Sequence, residues 1–360
     1  EYRETNVDKF NFLRLNQLEG YLMDTWKVTR KLTVDLGLRY YHIGPAHVRD
    51  NTISTFVPGL YDPAKAQRVI ATGPDAGTLA PGVGQPYNGI VVAGSNYPDS
   101  RTAPKDPLAQ SLFRGLPTGL YSSQNKVGPR IGFAYDPTGR GLVAVRCAIG
   151  IGYERFSDSQ LQDLGKNPPF VSTVSLYDGN IENLAGGRPS AAFPISMTGY
   201  RTNMQAQGAY NWNFGFQLKA PFQSLLDVNY VSPQGRHLMR RVDVNKLSPA
   251  DRVASINVNL NSARRYQGYT TIQLWETSAS SNYHALQVSA SRRFAKNLTY
   301  SLSYTWGKAM TDAWDINAEP ENIYNYRPEK GVANFNRDHV FNSSFIYEFP
   351  FFLAQRGGLG

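Results

Sequence analysis

The sequence predicts an all-β fold, an antiparallel transmembrane β-barrel present in part as about nine meander strands, and three observations carry that expectation. Apolar residues recur with period two along segment after segment, as half-buried strands require. Short turns alternate with long connectors. Aromatic residues collect near the strand ends, where interfacial girdles would lie.

Composition agrees. Tyr 22, Phe 18 and Trp 5 accompany Gly 32 and Pro 22, a turn-rich and aromatic-rich balance that suits strands and is foreign to disordered chains. Charged residues are 18%, below the roughly 25% of ordinary soluble domains, which disfavours long solvated helices. No stretch approaches 18 consecutive apolar residues, so membrane-spanning helices are excluded. The most apolar segment, 142–153, is interrupted by Arg146 and by glycines. Barrel strands survive this test because only alternate residues are apolar.

The elements follow in order. Residues 18–26 form a loose first strand, with Asp24 on the face of Leu22 and Trp26; residues 28–31 turn the chain. Leu32, Val34, Leu36, Leu38 and Tyr40 then alternate with polar or small residues. A second hairpin joins Ile131, Phe133 and Tyr135, through Asp136-Pro137-Thr138-Gly139, to Val143, Val145, Cys147, Ile149, Ile151 and Tyr153. In the third, Trp212, Phe214, Phe216 and Leu218 lead through 220–223 to Leu226, Val228 and Tyr230. The fourth pairs Leu286, Val288 and Ala290, by a turn at 295–297, with Leu298, Tyr300, Leu302, Tyr304 and Trp306. A ninth strand covers 340–349.

Between the hairpins run connectors of about 43–127, 157–206, 242–282 and 307–337. Structureless loops this long are uncommon in compact soluble domains, whereas outer-membrane barrels combine short periplasmic turns with long external loops. The first connector holds ten Gly and ten Pro, which forbids a hidden helical domain and leaves room for short strands near 51–57 and 89–93.

With the short turns inside, two aromatic girdles are expected: Tyr40, Tyr153, Trp212, Tyr230, Tyr304 and Trp306 near the outer strand ends, Trp26, Tyr135 and Phe349 near the inner ends. Aromatics favour strands in any β-protein, so a soluble sandwich or propeller is the competing reading. Alternation points Arg39, Arg146, Glu154, Asp227 and Asn229 toward the lumen, since a charge on the lipid face near the midplane costs about 2 to 4 kcal/mol. It points Cys147 toward lipid, as a small hydrophobe.

At these residues the sequence resembles a known family. Tyr21-Leu22-Met23-Asp24-Thr25-Trp26-Lys27-Val28-Thr29 followed by Leu32-Thr33-Val34-Asp35-Leu36-Gly37-Leu38-Arg39-Tyr40 is similar to the barrel hairpin of TonB-dependent outer-membrane receptors, and best to the Oar-like subgroup. Gly128-Pro129-Arg130-Ile131-Gly132-Phe133-Ala134-Tyr135-Asp136, Tyr283-His284-Ala285-Leu286-Gln287-Val288, Tyr304-Thr305-Trp306-Gly307-Lys308 and Asp338-His339-Val340-Phe341 resemble further segments of that subgroup. Cys147 replaces an expected small residue, and Gly307 stands where the subgroup more often has Ser. The motifs describe girdles and turns, so they identify a scaffold and leave its solute open. The resemblance implies a barrel of about 22 strands of which this chain is an internal piece. It also implies an N-terminal plug and a segment coupling to a TonB-type energy-transducing complex, both absent from these residues. The chain would begin within a strand, without a signal peptide, and end in the periplasmic turn after Phe349. Expected partners are outer-membrane lipid and lipopolysaccharide, the plug, the remaining strands and, through the missing part, the TonB-type complex.

The implied function is active transport: a scarce solute bound outside the bacterial outer membrane and admitted by plug movement. A passive porin or outer-membrane adhesin is the alternative, and a secreted β-rich carbohydrate-binding domain is a second. Enzyme chemistry is not expected. His42, His47, His237, His284 and His339 make no tight metal-ligand spacing. Gly82-Val83-Gly84 and Gly150-Ile151-Gly152 lack a nucleotide-binding context. The carboxylates at 312, 315, 319 and 321 lie in a polar loop that would not desolvate them. No cofactor is implied. The net charge of +9 is dispersed, with no nucleic-acid recognition pattern. Solute selection is assigned to the connectors, above all 43–127, where Tyr61, Tyr87, Tyr97 and Tyr121 offer stacking faces, although loop packing is the commoner use of such residues.

Overall fold

The computed structural model describes residues 2–5, 11–99, 103–156, 159–177, 182, 188–189, 193–295 and 297–349. Nine long strands dominate: β1 (Gln17–Lys27), β2 (Leu32–Ile43), β3 (Gln124–Tyr135), β4 (Val143–Glu154), β5 (Gln207–Ala220), β6 (Ser224–Asp243), β7 (Tyr269–Ala295), β8 (Leu298–Thr311) and β9 (His339–Tyr347). Each pairs antiparallel with the next in sequence, giving the meander that the alternating pattern predicts. The result is an open sheet, a partial barrel with β1 and β9 toward opposite edges. No described helix is long and apolar enough to cross a membrane.

The short turns have local causes. Between β1 and β2 the Thr29 hydroxyl accepts from the amides of Lys31 and Leu32, at 3.1 and 3.0 Å. After β3, Asp136 organises the chain: its Oδ1 accepts from the Thr138 and Gly139 amides at 3.0 and 2.9 Å, and its Oδ2 from the Gly141 amide at 2.7 Å. Gly139 and Gly141 take positive φ, 67° and 64°, a conformation open to Gly at little cost. Those hydrogen bonds, the one from the Thr138 hydroxyl foremost, hold the Asp136 carboxyl below the usual carboxylate range. Phe222 and Gln223 turn β5 into β6 with φ of 60° and 57°. In the turn between β7 and β8, Lys296 lies outside the described residues, as does Pro350 after β9.

Cross-strand register sorts the side chains into two faces. One row runs Tyr135, Val145, Phe216, Val228, Val288, Tyr304 and Phe341, each residue directly opposite the next. The neighbouring row on the other face runs Ala134, Arg146, Gly215 and Asn229 to Gln287 and Thr305. Leu36, Leu38, Ile131, Phe133, Ile149, Phe214 and Trp306 stand exposed on the apolar face, an arrangement suited to lipid and hostile to water.

Two strands outgrow the rest. At about 3.3 Å per residue, β7 with 27 residues is about 90 Å long, and β6 with 20 about 65 Å, whereas a membrane strand needs about 9 to 11 residues. Register shifts between Gly235 and Leu238 and between Leu238 and Arg240, with His237 at φ 55°, mark bulges that re-aim the ribbon. Beyond them it becomes the floor of a packed layer. The connector between β6 and β7 therefore runs only 244–268, because β7 begins at Tyr269, well inside the expected 242–282. Strand propensity in Thr270, Thr271, Ile272 and Trp275 is the cause.

The first connector occupies 44–123 and builds its own sheet: Ser54–Phe56 antiparallel to Ile90–Ala93, which pairs in parallel with Phe113–Leu116. Ile195–Tyr200, in the connector before β5, lies parallel to the outer part of β7. Tyr2–Thr5 pairs with Thr173–Tyr177. Two apolar cores form here, one around Ile53, Leu120, Phe156, Tyr200 and Trp275, the other around Phe56, Ile90, Phe170, Tyr269 and Ile272.

Candidate functional site

The polar face of the sheet is concave. A groove of ≈ 650 Å³ reaches from Met23 and Asp35 on β1 and β2, past Arg130 and Gly150, to Tyr283 and Gln287 on β7. Residues from seven successive strands line this one space, those of the polar face joined by Ile131, Ile149, Ile151 and Trp212 of the other. Glycine deepens it. Gly37, Gly132, Gly150 and Gly152 line it, and a Cβ on Gly37 or Gly132 would already stand 3.4 Å from Arg130 Cβ or the Cys147 carbonyl oxygen. Strands approach closely here because these positions carry no side chain.

Of the five residues expected to face the lumen, three come together. Arg146 donates to Gln217 Oε1 at 3.4 Å, Gln217 Nε2 donates to Asp227 Oδ2 at 3.1 Å, and Asn229 Nδ2 donates to Asp227 Oδ1. This row crosses β4, β5 and β6 and balances the guanidinium with a carboxylate. Arg39 stands apart, its guanidinium paired with Glu19 across β1 and β2 and lying 5.4 Å from the Tyr41 ring centroid. Glu154 is the last residue of β4, opposite Gln207. Gln217, Asn211, Asn213 and Gln287 belong to the same surface and were not singled out from the sequence, although their places in the alternation carried the signal.

The four connector tyrosines lie within the outer layer. Tyr121 is 5% exposed, its ring edge-on to Phe156 and Tyr200 at 5.5 and 6.0 Å, so the stacking faces expected for a ligand are taken by neighbours. Tyr61, Tyr87 and Tyr97 are half-buried against the second core. The Tyr61 hydroxyl donates to the Gln267 carbonyl at 3.0 Å, and burial pushes the Tyr97 phenol up to about 12.

The expected girdle residues divide similarly. Trp26, Tyr40, Tyr135, Trp212, Tyr304, Trp306 and Phe349 stand exposed. Tyr230 packs against Trp212 at 5.2 Å. Tyr153 turns into a small core with Tyr41, Ile43 and Ala206, edge-on to Tyr41 at 5.7 Å. Cys147 is a half-exposed free thiol opposite Phe133 and Phe214. Among the described residues no group of three or more His, Cys, Asp or Glu side chains stands together as a metal site.

A network that the sequence did not single out ties the last connector to the ribbon. Arg240, 1% exposed, pairs with Asp312 at 2.5 Å and lies 4.6 Å from the ring centroid of Tyr326. Tyr326 donates to Glu276 at 2.9 Å, and Glu276 pairs with Arg201 at 2.9 Å. Asp312 also accepts from the Ser280 amide and hydroxyl, both at 2.8 Å. A charge this buried is tolerated because partners surround it.

Comparison with known proteins fits this architecture. The family described as outer membrane beta barrel domain matches residues 1–359; the chain belongs to that family, and its place is the bacterial outer membrane. Solved structures resemble it at low identity. The ferric-catecholate import receptor Fiu from Escherichia coli K12 is 12% identical with a TM-score of 0.42, over 92% of this chain and 32% of that one. The outer-membrane transporter YddB from Escherichia coli is 12% identical with a TM-score of 0.45, over 92% and 40%. The FrpB iron transporter from Neisseria meningitidis is 11% identical with a TM-score of 0.38, over 94% and 42%. The chain thus spans well under half the length of these structures. No curated protein matches it.

Proposed function

We propose that this chain is part of the wall of an outer-membrane active-transport receptor that binds a scarce solute outside and admits it when a TonB-type complex moves a plug in the lumen. The observation that carries the reading is the groove of ≈ 650 Å³ crossing seven strands, with Asp35, Arg130, Asn211, Asn213 and Gln287 in its lining, set below a connector layer with cores of its own. A wall that faces bulk water needs no glycine-lined recess. One that houses a plug and a passing solute needs close backbone approach and hydrogen-bonding groups such as Asn211, Asn213 and Gln287. The Oar-like resemblance of 21–40, 128–136, 283–288, 304–308 and 338–341 supports the same reading, as a resemblance of scaffold.

In this reading the whole chain, 1–360, is one piece of a single barrel domain, and the long connectors face outward. Arg146, Asp227 and Asn229, with Arg39 and Glu154 nearer the strand ends, present the lumen's polar surface. Lipid surrounds the apolar face, with Trp26, Tyr135 and Phe349 toward the inner interface and Tyr40, Trp212, Tyr230, Tyr304 and Trp306 toward the outer.

Two measurements test this. A peptide tag inserted after Val253, in the exposed helix Pro249–Ala254, should be reached by antibody on intact cells expressing the full-length protein; accessibility only after permeabilisation would invert the strand polarity. Solute uptake by those cells should collapse when the TonB-type complex is deleted. Uptake that continues at the same rate identifies a passive porin and ends the active-transport reading.

A further inference from the structure

Gly307, which replaces the Ser more usual in the resembling segments, makes room for an aromatic ring. It is opposite Ala285 on β7, and the Tyr283 ring lies across it: a Cβ at 307 would stand 2.7 Å from the Tyr283 hydroxyl oxygen and 2.9 Å from its Cζ. Any larger residue there would push the ring away. Tyr283 lines the groove of ≈ 650 Å³ and also a second one of ≈ 520 Å³, which continues along the same wall toward the long connectors. Glu154, Asn211, Leu238, Ser281, Tyr283 and Phe335 border the second groove. Leu238 folds over Gly235 much as Tyr283 does over Gly307, since a Cβ at 235 would meet Leu238 Cδ1 at 2.8 Å. Phe335 stands 67% exposed, yet its stretch of connector is pinned to β8. The Ala333 amide donates to the Ala309 carbonyl at 2.9 Å, and Asn336 Oδ1 accepts from the Ala309 amide at 2.7 Å.

The electrostatics of this second groove are one-sided. Its lining holds a single charge, the Glu154 carboxylate, which has no hydrogen bond or ion pair among the described residues. Lys126 on β3 stays with the Tyr153 ring, 5.9 Å from its centroid, and with Gln205 Oε1 at 3.4 Å. Arg130 lines the neighbouring groove alone, opposite Gly150 and so about 13 Å back along β4 from Glu154. The Tyr283 and Phe335 rings, with Leu238, Pro233 and Ala309, make the rest of the lining mainly apolar. A carboxylate left without a cation, beside two aromatic rings and aliphatic walls, attracts a cation that carries apolar substituents. An anionic chelate would meet repulsion from Glu154 and no counter-charge. A bare hard metal ion would find one carboxylate where it needs several oxygen ligands.

We propose that this groove binds an organic ammonium ion, its charge held by Glu154 and its alkyl or aryl body packed against Tyr283, Phe335 and Leu238. The inference rests on the transport reading above in making that ion the solute; binding by itself does not require transport.

Calorimetric titration of the full-length protein in a non-ionic detergent tests this, with benzyltrimethylammonium as the cation, benzyl alcohol as the neutral probe and phenylacetate as the anion. The ammonium should bind at least tenfold more tightly than benzyl alcohol, and phenylacetate should not compete. Glu154→Gln should weaken ammonium binding at least tenfold. Gly307→Ser, which displaces the Tyr283 ring, should weaken it severalfold, and Tyr283→Phe, which keeps the ring, should retain it. Heat-modifiable gel mobility checks that each variant assembles; should one fail, the selectivity series on the unaltered protein still decides. Benzyl alcohol binding as tightly as the ammonium, phenylacetate binding more tightly, or unchanged affinity in Glu154→Gln overturns the site. Ammonium binding without TonB-dependent uptake counts against transport alone. TonB-dependent uptake by a receptor that, once purified, ignores the ammonium counts against this inference alone.

Discussion

Below the bulges at 235–240, the paired strands β6 and β7 are part of a wall one layer thick; above them, the same two strands are the floor of a packed head. In the wall, Phe214, Phe216, Leu286 and Trp306 stay exposed, because their apolar surface is meant for lipid. In the head, Met239, Val242, Ile272, Leu274 and Trp275 are buried, because chain from the connectors covers them. The wall's order comes from backbone ladders and from the solvent it sits in. The head's order comes from side-chain packing, as in a water-soluble domain. The two halves should therefore fail separately.

The largest expected effect tests that separation. Arg240→Ala empties the buried guanidinium site and leaves the partly buried Asp312 with only its Ser280 hydrogen bonds, a loss of about 3 kcal/mol, the low end for breaking a buried pair. Limited proteolysis should then cut within 312–338 while heat-modifiable mobility of the barrel persists. Loss of barrel assembly as well would mean that the wall depends on the head. Phe56→Ala probes the second core, where Phe56 meets the rings of Tyr266 and Tyr269 at 5.0 and 5.3 Å. Its removal should cost about 3 kcal/mol, read as faster hydrogen exchange in Ser54–Phe56 and Ile90–Ala93 with no change in β3 to β5.

Within the wall, the two faces should answer differently to the same substitution. Phe214→Arg puts a charge mid-strand on the apolar face and should cost about 2 to 4 kcal/mol in a bilayer, whereas Asn213→Arg, one residue away on the wet face, should cost under about 1 kcal/mol. Folding titrations into lipid vesicles give both values, and equal costs would mean a register wrong by one residue. A membrane-impermeant thiol reagent sharpens the point: Cys147 should stay unmodified in bilayers and Arg146→Cys should react.

The smallest effect is a pH response at the short turn after β3. Since the folded Asp136 carboxyl titrates below its unfolded value of about 3.9, its contribution is fully present above that value and is lost as pH falls through the lower folded one. Hydrogen exchange at Thr138, Gly139 and Gly141 should accelerate as pH is lowered from 6 to below the unfolded carboxylate value, after correction for intrinsic rates. Asp136→Asn should show little such dependence.

Legibility followed the same division. The wall was readable because a strand between lipid and a wet lumen must alternate at every second residue, and Val143 to Glu154 or Leu298 to Trp306 do so without help from distant residues. The outer end of β7 was not, because Tyr269, Ile272, Leu274 and Trp275 are covered by chain from 53–56, 90–93 and 195–200, so no alternation survives there. Tyr153 sits among girdle candidates by spacing, yet it packs on Tyr41, a partner more than a hundred residues away. Asp312 and Glu319 read as loop carboxylates, and only folding brings them to Arg240 and Arg241.

By itself, then, the sequence determined strand positions in the wall, their meander order, the short turns and the division into an apolar and a polar face, since each depends on neighbours in the chain or on the surrounding solvent. The tertiary structure alone decided how far β6 and β7 project, that the connectors pack into a head with two cores, that Arg146, Gln217, Asp227 and Asn229 form one row, and that Arg240 is buried. Those outcomes depend on contacts across tens to hundreds of residues, and local pattern carries no record of what will come to lie on top.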